Sequence, residues 1–213
     1  MNQRQGLLGY YNYTVILTYV GMLVGFIGIV YAFEQSIFKA VICLMVSGVC
    51  DMFDGTIAST RVRTSSEKCF GIQIDSFSDL ICFGVLPAMI VYNLGGQTTL
   101  ILGVCALYLL CALIRLAYFN VDEQERQQTS RSSREIYYGL PVTLSALFLP
   151  LVYGAVKLFS WRPDALPTAA LMAMAILFLL PFPLRKPKMI GKTCVILCGA
   201  CEIGLVVLAF DGV

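Results

Sequence analysis

The stretch CDMFDGTIASTRVRTSSEKCFGIQIDSFSDL, residues 50–80, sets four aspartates into an otherwise strongly apolar chain. Asp51 and Asp54 are three apart, and Asp75 and Asp79 are four apart, so on helices each pair shares a face. Each pair lies at the end of a long hydrophobic run. Carboxylates at membrane depth are costly and by default mark function. Four of them facing one another repel unless cations stand between them, and carboxylate oxygens suit hard divalent ions such as Mg2+ or Mn2+.

Outward from this stretch the chain reads as membrane protein. Of 213 residues, 58% are hydrophobic and 13% charged, with a mean hydropathy of +0.79. A soluble domain with a large core does not need that composition. The formal charge of +2 is too small to imply nucleic acid as a partner. Histidine is absent, so an imidazole base or ligand is excluded and proton transfer falls to a carboxylate or another group. Most of the nine cysteines lie in apolar runs and read as small buried thiols; Cys194, Cys198 and Cys201 cluster without a histidine near them. The N-terminus runs into the first apolar segment without a signal-peptide pattern.

Apolar runs fall at about 11–33, 36–57, 71–93, 98–120, 138–159, 165–184 and 191–210, with the last open to a shorter or re-entrant reading. Each is long enough to cross a bilayer with some tilt. The expectation is an all-α, polytopic helical bundle of about six to seven transmembrane helices, forming a single domain over 1–213. Residues 59–70 and 121–137 read as polar loops, and Pro87 as a kink in the third run. With the N-terminus in the cytoplasm, Arg4, Arg61, Arg63, Lys68, Arg126, Arg131, Arg134, Arg185, Lys186, Lys188 and Lys192 fall inside, against Lys39, Lys157 and Arg162 outside. That asymmetry orients the chain and puts the aspartates at the cytoplasmic face of a cell membrane.

The second run descends to that face and the third returns from it, so the four carboxylates meet at one depth. Gly55, Ala58 and Gly71 leave room for a bulky ligand beside the backbone. Two divalent ions about 3.5–4 Å apart clamp a phosphoryl group from both sides. They neutralise a pyrophosphate as its bond breaks.

The order Asp51-x2-Asp54-Gly55-x2-Ala58, then Gly71-x3-Asp75-x3-Asp79, resembles the signature of the CDP-alcohol phosphotransferase family. Two departures stand out. Ser59 occupies the place of the family's arginine, and the spacer before Gly71 is longer than usual. FGIQIDSFSDLICFGVLPA (70–88), LIRLAYFNV (113–121) and YYGLPV (137–142) are similar to segments of the integral-membrane phosphatidylserine synthase branch in bacteria. The resemblance thus covers roughly residues 51–142.

This resemblance implies transfer of a phosphatidyl group from CDP-diacylglycerol to L-serine, dependent on two divalent cations, Mg2+ or Mn2+, by a homodimer in the bilayer. It assigns Asp51, Asp54, Asp75 and Asp79 to the metals, with Asp79 as base for the serine hydroxyl. It assigns Gly55, Ala58 and Gly71, beside Asp51 and Asp54, to the nucleotide, with Arg61 or Arg63 standing in for the missing arginine. Sister branches use glycerol 3-phosphate, inositol or inositol phosphate instead.

Arg115 lies inside the fourth apolar run, where snorkelling or pairing with an acidic group competes with a bidentate contact to an acceptor carboxylate or lipid phosphate. Arg131 and Arg134 offer the same contact from a loop that also suits anionic lipid. Asn120 either binds substrate or caps its helix. Of the rival classes, a small cation transporter predicts carboxylates spread along a path, and a membrane scaffold predicts no spaced carboxylates. The clustering at one face beside glycines favours the enzyme.

Overall fold

The computed structural model describes residues 9–129 and 136–185, together with Gly199 and Gly204. Apart from those glycines, the expected seventh span lies outside the described residues, as do Arg131, Arg134 and the cysteine cluster. A 3-10 turn, Tyr13–Val15, leads into α1, Ile16–Phe33, and α2, Ile37–Ala58, returns beside it. α3, Ser65–Asp79, passes through a π-helical turn at Leu80–Val85 into α4, Leu86–Leu94. α5, Thr99–Thr129, is followed by β1, Ile136–Tyr138, then α6, Ser145–Leu158, α7, Ala165–Leu179, and β2, Pro183–Arg185. The units Tyr13–Phe33, Ser65–Leu94 and Thr99–Arg126 are long and apolar enough to cross a membrane, and Val142–Leu158 and Ala165–Leu179 are shorter apolar helices. The polytopic helical bundle expected from the sequence is the architecture found.

Lipid tails are as apolar as leucine, so helices in a bilayer are held by close packing and interhelical hydrogen bonds. The face of α1 that carries Gly21, Gly25 and Gly28 is buried. It meets α2 and the π turn so closely that a Cβ on Gly25 would lie 2.5 Å from the Cys82 sulfur. Hydroxyls add bonds across that seam: Ser47 Oγ donates to Gly21 O at 3.0 Å, and Ser78 Oγ to Thr18 O at 3.4 Å. On the other side of the bundle α5 packs along α7, and the Tyr108 ring lies 5.4 Å from that of Phe178.

Several boundaries differ from the sequence reading, each for a local reason. The polar stretch after Asn120, expected as the start of a loop, continues α5 to Thr129. Its glutamates, glutamines and arginine favour helix, and Arg126 grips Glu123 one turn back, Nη2 to Oε1 at 2.5 Å. α3 begins six residues before Gly71 because Thr64 and Glu67 form a capping box. Thr64 Oγ1 accepts from the Glu67 N–H at 3.2 Å, and Glu67 Oε2 accepts from the Thr64 N–H at 2.8 Å. α7 stops at Leu179, ahead of Pro181 and Pro183. β1 and β2 form a three-residue antiparallel ladder that the all-helical reading did not contain. It starts from Gly139, whose φ is +76° and where a Cβ would meet Phe178 O and Leu180 O at 3.1 Å. Only glycine fits that turn against the end of α7.

The two ends of the bundle differ in chemistry. At one end Asn93 joins the α1–α2 and α4–α5 turns, its Oδ1 accepting from Gln35 Nε2 at 2.8 Å and Gln97 Nε2 at 2.7 Å. The aspartates stand at the other.

Candidate functional site

The last turns of α2 carry Asp51 and Asp54, and the second half of α3 carries Asp75 and Asp79. Helical spacing turns each pair inward, as their separation requires. Asp51, Asp54 and Asp75 each present a carboxylate oxygen within 4.8 Å of the others. Asp79 stands beside this group on the same small cavity. That cavity holds about 10 Å3 between the carboxylates. Thr18, Ser47, Ser78 and Cys82 line it as well.

Four carboxylates crowded in a partly buried pocket need positive charge. Among the described residues, no lysine or arginine forms an ion pair with any of them. Oxygens around an Mg2+ ion sit about 2.1 Å from it, so a trio this close needs little movement to ligate one. The donor set is all oxygen and all hard, which fits Mg2+ or Mn2+ and not a soft metal. The residues present fit a divalent centre.

Thr18 is a participant that motif reasoning passed over. From α1, its Oγ1 donates to Asp54 Oδ2 at 3.1 Å, and both groups are buried. It orients a carboxylate as an outer partner orients a metal ligand. The signal in the sequence was faint: a hydroxyl three residues before Gly21, on the small-residue face of α1.

Gly55 faces open space, and a Cβ there would meet nothing within 4 Å. Half-buried Ala58 ends α2. Ser59, which replaces the family's arginine, turns its hydroxyl onto the Thr56 carbonyl at 2.6 Å and closes the helix on itself. Arg61 is held by Glu67 at 3.4 Å. Arg63 instead reaches Gly71, where a Cβ would lie 3.2 Å from its Nη1.

Asn120 comes close to α3, its Oδ1 accepting from Ser76 Oγ at 2.7 Å. Arg115 is buried and bonds to the Gly139 corner. Its Nε donates to Leu140 O at 3.3 Å and its Nη2 to Gly139 O at 3.4 Å. It also lines a cavity of about 460 Å3 with Ile114, Tyr118, Phe178 and Pro181. The structure therefore gathers Asp51, Asp54, Asp75, Asp79 and Thr18 at one point, with Gly55, Gly71 and Arg63 around the α2–α3 connection. Arg115 sits in a different cavity.

Residues 11–208 match the family model for CDP-alcohol phosphatidyltransferase. The chain is 39% identical over 109 residues to CDP-diacylglycerol–serine O-phosphatidyltransferase of Saccharomyces cerevisiae, covering 50% of this chain and 38% of that protein. It is 28% identical over 144 residues to the protein of that name in Bacillus subtilis, covering 66% and 75%. To the one in Helicobacter pylori (strain ATCC 700392 / 26695) it is 31% identical over 143 residues, covering 66% and 56%. The matched region thus spans from just over a third to three quarters of these relatives.

Proposed function

Because the chain belongs to the CDP-alcohol phosphatidyltransferase family, we propose that it transfers the phosphatidyl group of CDP-diacylglycerol to L-serine, giving phosphatidylserine and CMP. The observation that carries the reading is the meeting of Asp51, Asp54 and Asp75 in one group, with Asp79 on the same cavity. Serine as acceptor rests on the names of the relatives.

Asp51, Asp54 and Asp75 would hold two divalent ions, Mg2+ or Mn2+, with Asp79 adjoining them. When bound, the ions supply charge neutralisation to the pyrophosphate. Thr18 keeps the Asp54 carboxylate in its orientation. Asp79 takes the proton of the serine hydroxyl, whose oxygen bonds to the phosphorus that carries diacylglycerol. The bond from that phosphorus to the CMP oxygen breaks, and CMP leaves with the electron pair.

Gly55, Ala58 and Gly71 form the floor for the cytidine nucleotide. Arg63 beside Gly71 is the better replacement for the missing arginine, since Arg61 is engaged by Glu67. Arg115 remains a candidate for a lipid phosphate or acceptor carboxylate through its own cavity, and Asn120 through its place beside Ser76. The excess of basic residues at the aspartate end supports a multi-pass cell-membrane protein with a cytoplasmic site. The homodimer rests on family resemblance alone.

The test is CMP release by the purified protein with CDP-diacylglycerol and Mn2+, comparing L-serine, glycerol 3-phosphate, inositol and inositol phosphate. Release with serine alone, lost in Asp79→Asn by a factor of about 10²–10⁴, is the expected result. Release with a different acceptor would move the protein to a sister branch, and no release with any would overturn the reading.

A further inference from the structure

A second polar cavity lies at the end of the bundle opposite the aspartates. It holds about 300 Å3 between the start of α2, the end of α4 and the end of α6. Ser36, Lys39, Tyr153 and Lys157 line it, with Phe38 and Leu94 as apolar wall.

Three features there point to an anion. α2 is a 22-residue helix whose first turn receives no side-chain cap from Ser36, so its amide end presents positive charge to the cavity. Lys39 and Lys157 form no ion pair among the described residues. The Lys39 ammonium lies 5.3 Å from the centre of the Tyr31 ring, a contact that leaves its N–H bonds in need of oxygen. Tyr153 is only 4% exposed, yet no hydrogen bond to its hydroxyl occurs among the described residues. A buried hydroxyl without a partner costs about 1–3 kcal/mol. Asp164, the acidic residue of the α6–α7 turn, is paired with Arg162 at 2.7 Å, and Glu34 does not line the cavity.

The surroundings decide what kind of anion. Phe33, Leu158 and Phe159 are exposed at the same end of the bundle, at 74%, 56% and 60%. Such surface suits acyl chains and not water. We infer that this cavity binds the phosphodiester headgroup of an anionic phospholipid from the leaflet opposite the aspartate site. The phosphate oxygens take the α2 amide end, the Tyr153 hydroxyl and the two ammonium groups. The acyl chains run down the apolar wall. Two uncompensated lysines select a lipid of net negative charge over a zwitterionic one.

This inference is independent of the reaction proposed above. Purified protein would be incubated with phosphatidylglycerol, phosphatidylcholine or inorganic phosphate, with bound lipid read by native mass spectrometry and stability by thermal unfolding. Phosphatidylglycerol should be retained and raise the unfolding midpoint, phosphatidylcholine much less. Each of Lys39→Gln and Lys157→Gln should weaken retention about fivefold, and Tyr153→Phe should weaken it without changing charge. Mn2+ binding at the aspartates should be unaltered in all three. Equal retention of the two lipids, unchanged retention in Lys39→Gln and Lys157→Gln, or the same stabilisation by inorganic phosphate alone would overturn the assignment. Should either lysine variant fail to fold, the Tyr153→Phe comparison decides.

Discussion

The hydroxyl of Tyr108 on α5 donates to the carbonyl oxygen of Phe83 at 2.6 Å, and Pro87 is the reason that oxygen is open. In an α-helix Phe83 O would accept from the N–H of residue 87, and proline has none. The helix responds with a π turn, in which the Leu86 N–H reaches back five residues to Ile81 O. Ser145 Oγ approaches the same carbonyl at 3.4 Å. The turn begins one residue after Asp79, so this bond fixes the helix that presents the fourth carboxylate. Tyr108→Phe keeps the buried ring and removes the donor. It should destabilise the protein by about 1–3 kcal/mol, read as a lower thermal midpoint in detergent, with Ser145→Ala smaller in effect.

Gly55 separates fold from function. Glycine inside a helix is worth about 1 kcal/mol less than alanine, and nothing in the protein fills the space a Cβ would take there. Gly55→Ala should therefore raise thermal stability by up to about that amount while reducing activity, if the proposed nucleotide floor uses that space. A variant as active as the parent would remove Gly55 from the nucleotide floor.

Thr18 orients Asp54 through one buried hydrogen bond. Thr18→Val keeps the shape and removes the donor. Loss of such a partner typically lowers metal affinity about 10–100-fold, and isothermal titration with Mn2+ should show a drop in that range. Thr18→Ser, which restores the hydroxyl, should recover most of it.

Glu67 stands in the polar first turn of α3, ahead of the apolar run that begins at Gly71, and its hydrogen bonds from the Thr64 backbone N–H, then from the Thr64 hydroxyl, hold its carboxyl below the usual range, with Arg61 and Asn12 adding to the effect. A depressed carboxyl stabilises the fold above its unfolded pKa, and that contribution disappears as pH falls through the lower folded value. The thermal midpoint of the parent should exceed that of Glu67→Gln near pH 7, and the gap should close in acid. Thr64→Ala removes the hydroxyl that accepts from the Glu67 N–H and should cost about 1 kcal/mol near pH 7.

Much of this was legible in the residues. The Asp51/Asp54 and Asp75/Asp79 spacings needed only helical periodicity to converge, and the apolar runs needed only length. What escaped depended on partners far apart in the chain. Thr18 meets Asp54 across 36 residues, and Tyr108 meets Phe83 across 25, so no window of sequence displays either. The capping box was different: Thr64-x2-Glu67 is a local pattern, obscured because the stretch is polar and reads as loop. The extension of α5 was hidden in the same way, since charged helix formers at a membrane boundary look like the end of a span. The pairing of β1 with β2 joins residues on either side of two helices, and the positive φ of Gly139 gives it no pattern to read.

α5 has one further consequence. Its 31 residues make a rod of about 46 Å, against a hydrocarbon layer of about 30 Å. That single rod touches the π turn through Tyr108, the Gly139 corner through Arg115 and α3 through Asn120. The helix that carries Asp75 and Asp79 is thereby braced by a single neighbour on both sides of Asp79, at Ser76 and at Phe83.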